Sequence, residues 1–402
     1  MIRTILLLAY LLTSQLNIMA ADWPQFRGIN RDGHSADVPE KWSDPALVWK
    51  KKIAQSIEPE KKYGGIVVQG KHVVVTDHDQ AKDYLLCFDK ASGDVIWKYE
   101  VPNGKEMDFG ASPRAIPLIH DSKVFFLTAW GDLHALELSS GKKIWNLSYV
   151  EDFGGELPDW GFCGSPLLVD GKLIITPGGK EGLVALDLAD GADIWIAETL
   201  KTNYSSFMAY KIGNMQQVVG YDDKTLRGWD VKTGKELWKL PIHSPNQYIV
   251  PAPLLVGESF FVQNDADGGY LYALDEDKPK SQAVAENEYL NSELMTGVII
   301  EDMIFTGAWS LQCVDAKTLK IHWEDGEDKA FAMDHLALFA SDKNILIFSQ
   351  NGELLLIPAQ KDKLEILGRK KISEETQGLP ALSGDFFYVR DEEHVYCYRI
   401  KE

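Results

Sequence analysis

The sequence predicts an all-β chain: an eight-bladed β-propeller, four antiparallel strands per blade, with the ring closed by the N-terminal strand. Three observations carry this prediction. A tryptophan-marked unit recurs, each unit holds four short apolar runs, and the two chain ends each supply part of one unit.

The recurring unit reads Ala-x-Asp, a turn ending in Gly, then Trp. Its clearest copy is Ala185-Leu186-Asp187, Asp190-Gly191, Trp195. Other copies are Cys87-Phe88-Asp89 with Gly93 and Trp97, Ala135-Leu136-Glu137 with Gly141 and Trp145, and Gly228-Trp229-Asp230 with Gly234 and Trp238. Cys313-Val314-Asp315 leads to Trp323 without the glycine. In these copies the acidic residue precedes the tryptophan by eight positions. Ala273-Leu274-Asp275 is weaker, with Ala283 at the tryptophan position, and Leu356-Ile357-Pro358 is weaker still, with Ile366 there. Self-similarity at a period of about 40–50 residues marks stacked repeats, each unable to bury its own faces alone.

Within the third unit the apolar runs are Ser165 to Val169, Leu173 to Thr176, Leu183 to Leu186 and Asp193 to Ile196. Asp170-Gly171, Gly178-Gly179 and Asp190-Gly191 separate them. Short β-rich runs divided by such dipeptides are antiparallel strands joined by tight turns, and four to a unit at this period makes a propeller blade.

The ends fix the blade number. The last unit reads Leu379 to Leu382, Asp385 to Val389 and His394 to Ile400, and lacks a fourth strand. Leu47-Val48-Trp49-Lys50 has the fourth-strand pattern with no Ala-x-Asp before it, one repeat length ahead of Trp97. The first strand therefore completes the last blade. Positions 49, 97, 145, 195, 238, 283, 323 and 366 then mark eight blades, with Trp49, Trp97, Trp145, Trp195, Trp238 and Trp323 as docking tryptophans. Seven blades is the alternative, should Leu336 to Ile372 fail to form one.

Residues 1–20 read as a secretory signal peptide: Met1-Ile2-Arg3, an apolar run from Ile5 to Leu16, and a small-residue cleavage site at Ile18-Met19-Ala20. An N-terminal arm, residues 21–46, then leads to a propeller over 47–402. No later stretch is long and apolar enough to span a bilayer, so the mature chain is expected to be periplasmic or secreted. A net charge of -19 argues against nucleic acid and anionic lipid as partners.

The eleven-residue pattern Ala-x-Asp-x-x-Thr-Gly-x-x-x-Trp, closely matched by Gly228 to Trp238 and Ala185 to Trp195, resembles the tryptophan-docking motif of pyrroloquinoline-quinone (PQQ)-like propellers. These form the quinoprotein alcohol dehydrogenase-like superfamily. Trp23-Pro24-Gln25-Phe26-Arg27-Gly28 with Asn30-Arg31-Asp32-Gly33 looks like the opening of exported PQQ-like repeat proteins of planctomycete-type bacteria. The resemblance implies one of two branches. Quinoprotein dehydrogenases use PQQ with Ca²⁺, held by carboxylate and amide ligands beside an aspartate base, and many carry a disulfide of adjacent cysteines. This chain has no Cys-Cys pair and no Cys-x-x-Cys-His haem site. The other branch is non-catalytic and includes the lipoprotein of the outer-membrane β-barrel assembly machinery. Here the departure is the missing lipid-anchor cysteine.

Other constellations read as structural. Cys87, Cys313 and Cys397 occupy the slot that Ala135, Ala185 and Ala273 fill elsewhere, so they are expected to be buried free thiols, and Cys163 precedes a first strand. Asp265-Ala266-Asp267-Gly268 lacks the further acidic ligands of a Ca²⁺ loop and reads as a hairpin turn. Thr76-Asp77-His78-Asp79 offers metal ligands or a polar turn. Ser112-Pro113 and Ser165-Pro166 recur before innermost strands, which favours a backbone role over catalysis. No catalytic set is complete.

Propeller geometry puts a ligand at one mouth of the central channel. Segments entering the innermost strands carry Asp108, Arg114, Asp159, Trp160, Tyr204, Asn246, Gln247, Asn291, Glu293, Asp334, His335 and Gln377. This mixture suits a polar ligand or a peptide. The first functional expectation is a non-catalytic scaffold for protein or peptide partners, with no cofactor. The alternatives are a PQQ- and Ca²⁺-dependent dehydrogenase of alcohols or sugars and, third, a glycan binder. Deleting residues 21–53 is expected to open the ring and leave a strand edge unpaired. Urea unfolding of the truncated chain should lose the single cooperative transition of the parent.

Overall fold

The computed structural model describes residues 22–53, 63–103, 107, 110, 112–242, 248–307, 309–333 and 335–401. The leader assigned to residues 1–20 lies outside them. The described residues contain no helix, and their strands form eight antiparallel sheets. In chain order these occupy residues 66–102, 118–148, 167–197, 208–241, 254–287, 298–325 and 336–371, and the eighth combines 381–399 with Ala46–Lys52. We number them blades 1 to 8. The stretch from Leu336 to Ile372 is a full four-stranded blade, so the count is eight.

Burial explains the apolar patterning. Second and third strands are covered on both faces by neighbouring blades, and Val73 to Val75 or Leu183 to Leu186 are wholly buried without alternation. Outer strands meet solvent on one side. In Asp193–Ala197 only Trp195 is buried.

Each docking tryptophan sits directly opposite a small residue across its own blade: Trp97 on Cys87, Trp145 on Ala135, Trp195 on Ala185, Trp238 on Gly228, Trp323 on Cys313 and Trp49 on Cys397. A larger side chain would fill the space of the indole. A Cβ built on Gly228 would already stand 2.3 Å from the Trp238 ring. The three cysteines are therefore buried small hydrophobes, and all four cysteines are free.

The indole then packs on the next blade. Trp49 faces Gly93, Trp97 faces Gly141 and Trp195 faces Gly234 at distances that leave no room for a side chain, and Trp145 faces Gly191 with slightly more space. These glycines have φ between 69° and 77°, the left-handed region that a Cβ disfavours. The acidic residue of the motif holds the turn: Asp230 Oδ1 accepts the N–H groups of Lys232 and Thr233, and Asp89 Oδ1 those of Ala91 and Ser92. The indole N–H donates to a carbonyl just past that acidic residue, Trp49 to Lys90 at 3.1 Å, Trp97 to Leu138 at 2.7 Å and Trp195 to Val231 at 3.0 Å. Burying ~200 Å² of ring at ~25 cal/mol per Å² stabilises each junction by about 5 kcal/mol as an upper figure.

Where the motif decays, neighbours compensate. Blade 5 has Ala283 at the tryptophan position, and its outer strand is broken into Lys278–Pro279 and Ala285–Asn287. Blade 6 answers with Leu319 at the glycine position; this leucine is fully buried in the cluster between the two blades despite a φ of 56°. Trp238, facing blade 5, donates to Gln217 Oε1 at 2.7 Å, and Gln217 Nε2 relays the bond to the blade 5 carbonyl of Asp277 at 3.0 Å. Blade 7 has Ile366, and the pair is inverted: Leu356 lies opposite Gly368, over which Trp42 of the arm packs at 2.1 Å from a notional Cβ.

Closure follows the expected register. Ala46–Lys52 pairs antiparallel with His394–Arg399, Trp49 opposite Cys397 and Lys52 opposite His394. Behind this seam the Arg390 guanidinium donates to the Thr76 carbonyl and pairs with Asp77 at 3.1 Å, both side chains fully buried. Thr76-Asp77-His78-Asp79 is thus mostly not a turn. Its first three residues end strand His72–His78 in a buried ion pair between blades 8 and 1, and only Asp79 turns. Asp265-Ala266-Asp267-Gly268 does join strands Ser259–Gln263 and Gly269–Asp275.

Gly141→Ala should destabilise the protein by about 2–4 kcal/mol, from the left-handed backbone together with collision against Trp97. Gly171→Ala has a similar φ of 69° but open space around it, and should cost only the backbone part. Comparing their urea midpoints with that of the parent isolates the docking contact.

Candidate functional site

Innermost strands of a propeller leave one edge facing the central channel, so their carbonyls there need donors from elsewhere. The N-terminal arm supplies them. Trp23 exchanges two hydrogen bonds with Val68 of blade 1, and Ile119 of blade 2 donates to the Pro24 carbonyl. Arg31 donates to the carbonyls of Pro166 at 2.8 Å and Phe207 at 3.0 Å, which enter blades 3 and 4. Arg27 donates to those of Thr296 at 2.6 Å and Gly297 at 2.7 Å, which enter blade 6. His34 bridges to Ala340 of blade 7.

The arm folds this tightly because Arg27, Gly28, Arg31 and Gly33 all take positive φ, and a Cβ on Gly28 would strike the Trp23 ring at 2.7 Å. Burial pushes the Arg27 guanidinium down to about 10 and that of Arg31 to about 9. Both stay charged at neutral pH.

Between the arm and the mouth lies a cavity of about 480 Å³, open at one face. Trp23, Phe26 and Arg27 form its floor, and Met295, Leu336, Leu338 and Phe339 contribute apolar wall. Of the residues singled out in the sequence, Arg114, Trp160, Tyr204, Glu293, His335 and Gln377 line it. Asp159 is exposed at the surface, and Asn291 is half-buried outside the lining. Asp108, Asn246, Gln247 and Asp334 lie outside the described residues.

An aromatic group dominates the mouth. The Trp160 ring lies 4.9 Å from Tyr204, tilted at 35°, and 4.9 Å from Tyr248, edge-on at 66°. The Arg114 guanidinium sits 4.9 Å from the Tyr63 ring centre and donates to the Gly110 carbonyl at 3.1 Å. Burial raises the Cys163 thiol to about 11 even with Arg114 beside it, so it is an inert thiol, and burial lowers His335 to about 4, so its ring is neutral. The Gln377 Oε1 is buried without a hydrogen-bond partner, on a side chain only 7% exposed.

Sequence reasoning missed Tyr63, Cys163, Tyr248 and the whole floor. Tyr248 directly follows two chosen residues and was within reach. The floor carried no periodic signal that would place it in the channel.

The serines before proline have the backbone role expected of them. Ser165 Oγ accepts the Ile116 N–H at 2.9 Å from the neighbouring blade, and Ser112 Oγ accepts that of Ala129 at 2.8 Å. Ser112 also donates to Asp83, a fully buried carboxyl that accepts from Asn103 at 2.8 Å.

Among the described residues the donor set does not fit a quinone–Ca²⁺ pair. Ca²⁺ takes six to eight oxygen ligands including carboxylates. Among the described residues the cavity offers one carboxylate, Glu293, and no group of three His, Cys, Asp or Glu assembles anywhere.

Eight blades around a channel, six of them docked by a tryptophan, define a PQQ-like β-propeller. The family model described as outer membrane protein assembly factor BamB matches residues 42–278 and 103–325, well over half of the chain. The protein belongs to that family. No curated protein matches the sequence significantly. Among solved structures, BamB from Moraxella catarrhalis is similar with a TM-score of 0.61 and 13% identity, over 89% of this chain and 100% of that one. Quinohemoprotein alcohol dehydrogenase from Comamonas testosteroni gives 0.67 and 13%, over 95% and 82% of the respective chains. The enzyme ADHIIG from Pseudomonas putida HK5 gives 0.68 and 12%, over 94% and 80%. At such identities the likeness shows the shared fold alone.

Burial raises Asp83 from 3.8 to about 7 against the opposing hydrogen bonds of Ser112 and Asn103. The folded chain thus holds this proton more tightly than the unfolded one. Its contribution to stability is complete below about pH 4 and is lost as pH rises through about 7. Asp83→Asn should flatten this decline, worth up to roughly 4 kcal/mol. Urea midpoints at about pH 5 and about pH 8 check it, and an unchanged slope in the variant assigns the effect elsewhere.

Proposed function

We propose that the protein is a non-catalytic, extracytoplasmic propeller scaffold that holds a protein or peptide partner at the open mouth of its channel. The observation that carries this reading is the cavity itself. It is closed below by the arm, lined by Trp160, Tyr204, Tyr248 and Tyr63, and supplied with separate polar groups. Large rigid aromatics with a few convergent polar groups make a binding surface. His335 is neutral and Cys163 protonated, and the described residues pair neither into a nucleophile–base arrangement.

Membership of a family described by an assembly factor supports the reading. So does the face around the mouth. Turns between second and third strands and connections between blades emerge there, and they expose Trp309, Tyr289, Leu157 and Leu200. Exposed apolar residues around a concave site mark a contact region.

The test uses the folded chain from residue 21 onward and extended hexapeptides, fluorescein-labelled at the N-terminus and varied in their last three residues. Fluorescence polarisation should show saturable binding, weakened at least tenfold in Trp160→Ala with thermal unfolding little changed. A parallel incubation with PQQ and Ca²⁺, followed by gel filtration, should return protein without quinone absorbance. Retained quinone with dye-linked oxidation of an alcohol or sugar would overturn the scaffold reading.

A further inference from the structure

Resting on the peptide-binding reading above, we propose that the cavity receives one uncharged aromatic side chain of the partner peptide, tyrosine or tryptophan, whose O–H or N–H is received by Gln377 at the entry to blade 8. Charge about the cavity selects neither sign. Arg27, Arg31 and Arg114 stand there, but Glu293 lines the same space, Asp32 lies beside Arg27, Asp265 bonds Tyr248 and Asp159 lies near Tyr204. Arg27 and Arg31 are held by backbone carbonyls, and Arg114 and Glu293 are engaged already. A charged occupant would lose its water without gaining an unengaged counter-charge among the described residues, which favours an uncharged one.

The polar groups left over are neutral. Gln350 donates its N–H to the His335 carbonyl at 3.2 Å and accepts the Thr376 N–H at 2.8 Å. One residue thus ties His335, entering blade 7, to the segment that carries Gln377 into blade 8. The Thr376 hydroxyl accepts the Gly378 N–H at 3.0 Å, and Leu379 donates to Gly64 and accepts from Ile66, so the backbone is fixed on either side of Gln377. Gln377 Oε1 is nonetheless a buried acceptor lacking a donor, on a side chain 7% exposed, a state that native interiors avoid. His335 is lowered by burial alone, with no hydrogen bond or charge from the described residues acting on its ring. A neutral imidazole holds one donor and one acceptor. A phenol O–H or indole N–H entering the cavity would satisfy Gln377, and a phenol oxygen could accept from His335 in return.

The rest of the cavity suits a ring. Trp23 and Phe26 in the floor, with Met295, Leu336, Leu338 and Phe339 in the wall, make an apolar bed on which sugar hydroxyls would find no partner. Trp160, Tyr204 and Tyr248, tilted or edge-on to one another, add ring faces and edges at the mouth. The arm closes the channel below, so a chain cannot thread through it, and a side chain reaches the bed from a peptide lying across the mouth. The cavity's volume of about 480 Å³ lies within the range of about 300–1,000 Å³ of sites that enclose a small ligand.

The experiment titrates unlabelled hexapeptides of glycine and serine, with one guest residue at the third position, into the folded protein by calorimetry. Tyrosine and tryptophan guests should bind at least tenfold more tightly than leucine, lysine or glutamate. Phenylalanine should bind about fivefold more weakly than tyrosine, for want of the hydroxyl. Gln377→Leu should bring the tyrosine guest down to the phenylalanine level and leave phenylalanine unchanged. A 4-benzoylphenylalanine guest, irradiated in the complex, should cross-link to Met295 or another lining residue. Equal affinity for all guests, phenylalanine matching tyrosine, or cross-links confined to Trp309 and Tyr289 outside the cavity overturns the aromatic side-chain proposal while the peptide scaffold stands. Binding by none of the peptides overturns both. Should Gln377→Leu fail to fold, the guest series and the cross-link on the parent protein still decide.

Discussion

The ring depends on one recurring contact, an outer-strand indole laid on the left-handed turn of the next blade. That contact constrains three positions at once. The residue opposite the indole must be small, as Cys87, Ala135, Ala185, Gly228, Cys313 and Cys397 are. The turn must carry no side chain where the ring lies, hence Gly93, Gly141, Gly191 and Gly234. An acidic residue must hold the turn by its N–H groups, as Asp89 and Asp230 do. The motif's composition follows from packing geometry. The exceptions follow it too. With no indole from blade 5, the glycine position in blade 6 can hold Leu319, whose side chain fills the junction at the cost of a positive φ. In blade 7 large and small residues exchange places, and Trp42 comes from outside the blade.

A closed ring removes sheet edges at its circumference of stacking but leaves the innermost strands facing a channel. The N-terminal segment meets both requirements in succession. Residues 23–34 satisfy inner-strand carbonyls across the channel, Trp42 covers blade 7, and Ala46–Lys52 supplies the missing strand of blade 8. Closure and plugging are consequently coupled: losing the strand also frees the arm. The buried pair of Arg390 and Asp77 lies at the same seam. A buried pair adds little net stability over an apolar one, but either charge left alone is strongly unfavourable. It therefore penalises any arrangement in which blades 8 and 1 are out of register.

The fold was legible because its determining contacts are local in sequence and repeated. Trp97 and Cys87 are ten residues apart, and Gly141 announces its partner Trp97 one blade earlier. Closure was legible from Trp49 falling one period before Trp97. Blade 7 was ambiguous because its compensation, Trp42 against Gly368, joins residues from opposite ends of the chain. The site was legible only by half. Arg114, Trp160, Tyr204, Glu293, His335 and Gln377 were found because strand-entry segments converge on a channel mouth whatever their sequence. The floor was not found, since Phe26 and Arg27 sit in an irregular loop whose partners lie on blades far along the chain. Asp77 was misjudged because a polar residue at a strand end looks the same whether it faces solvent or a buried arginine.

Burial of Arg27 and Arg31 links the scaffold to its site. Guanidinium groups are costly to desolvate, and apolar residues filling the channel would avoid that cost. Apolar side chains, however, would leave the carbonyls of Thr296, Gly297, Pro166 and Phe207 without donors on an edge that water reaches poorly. Arginine is the side chain that resolves this, because its planar fork reaches several carbonyls from separate strands at once. The positive charge it brings is a by-product of satisfying the backbone. The two guanidinium groups beside the aromatic mouth are thus there because the inner-strand carbonyls of blades 3, 4 and 6 require donors.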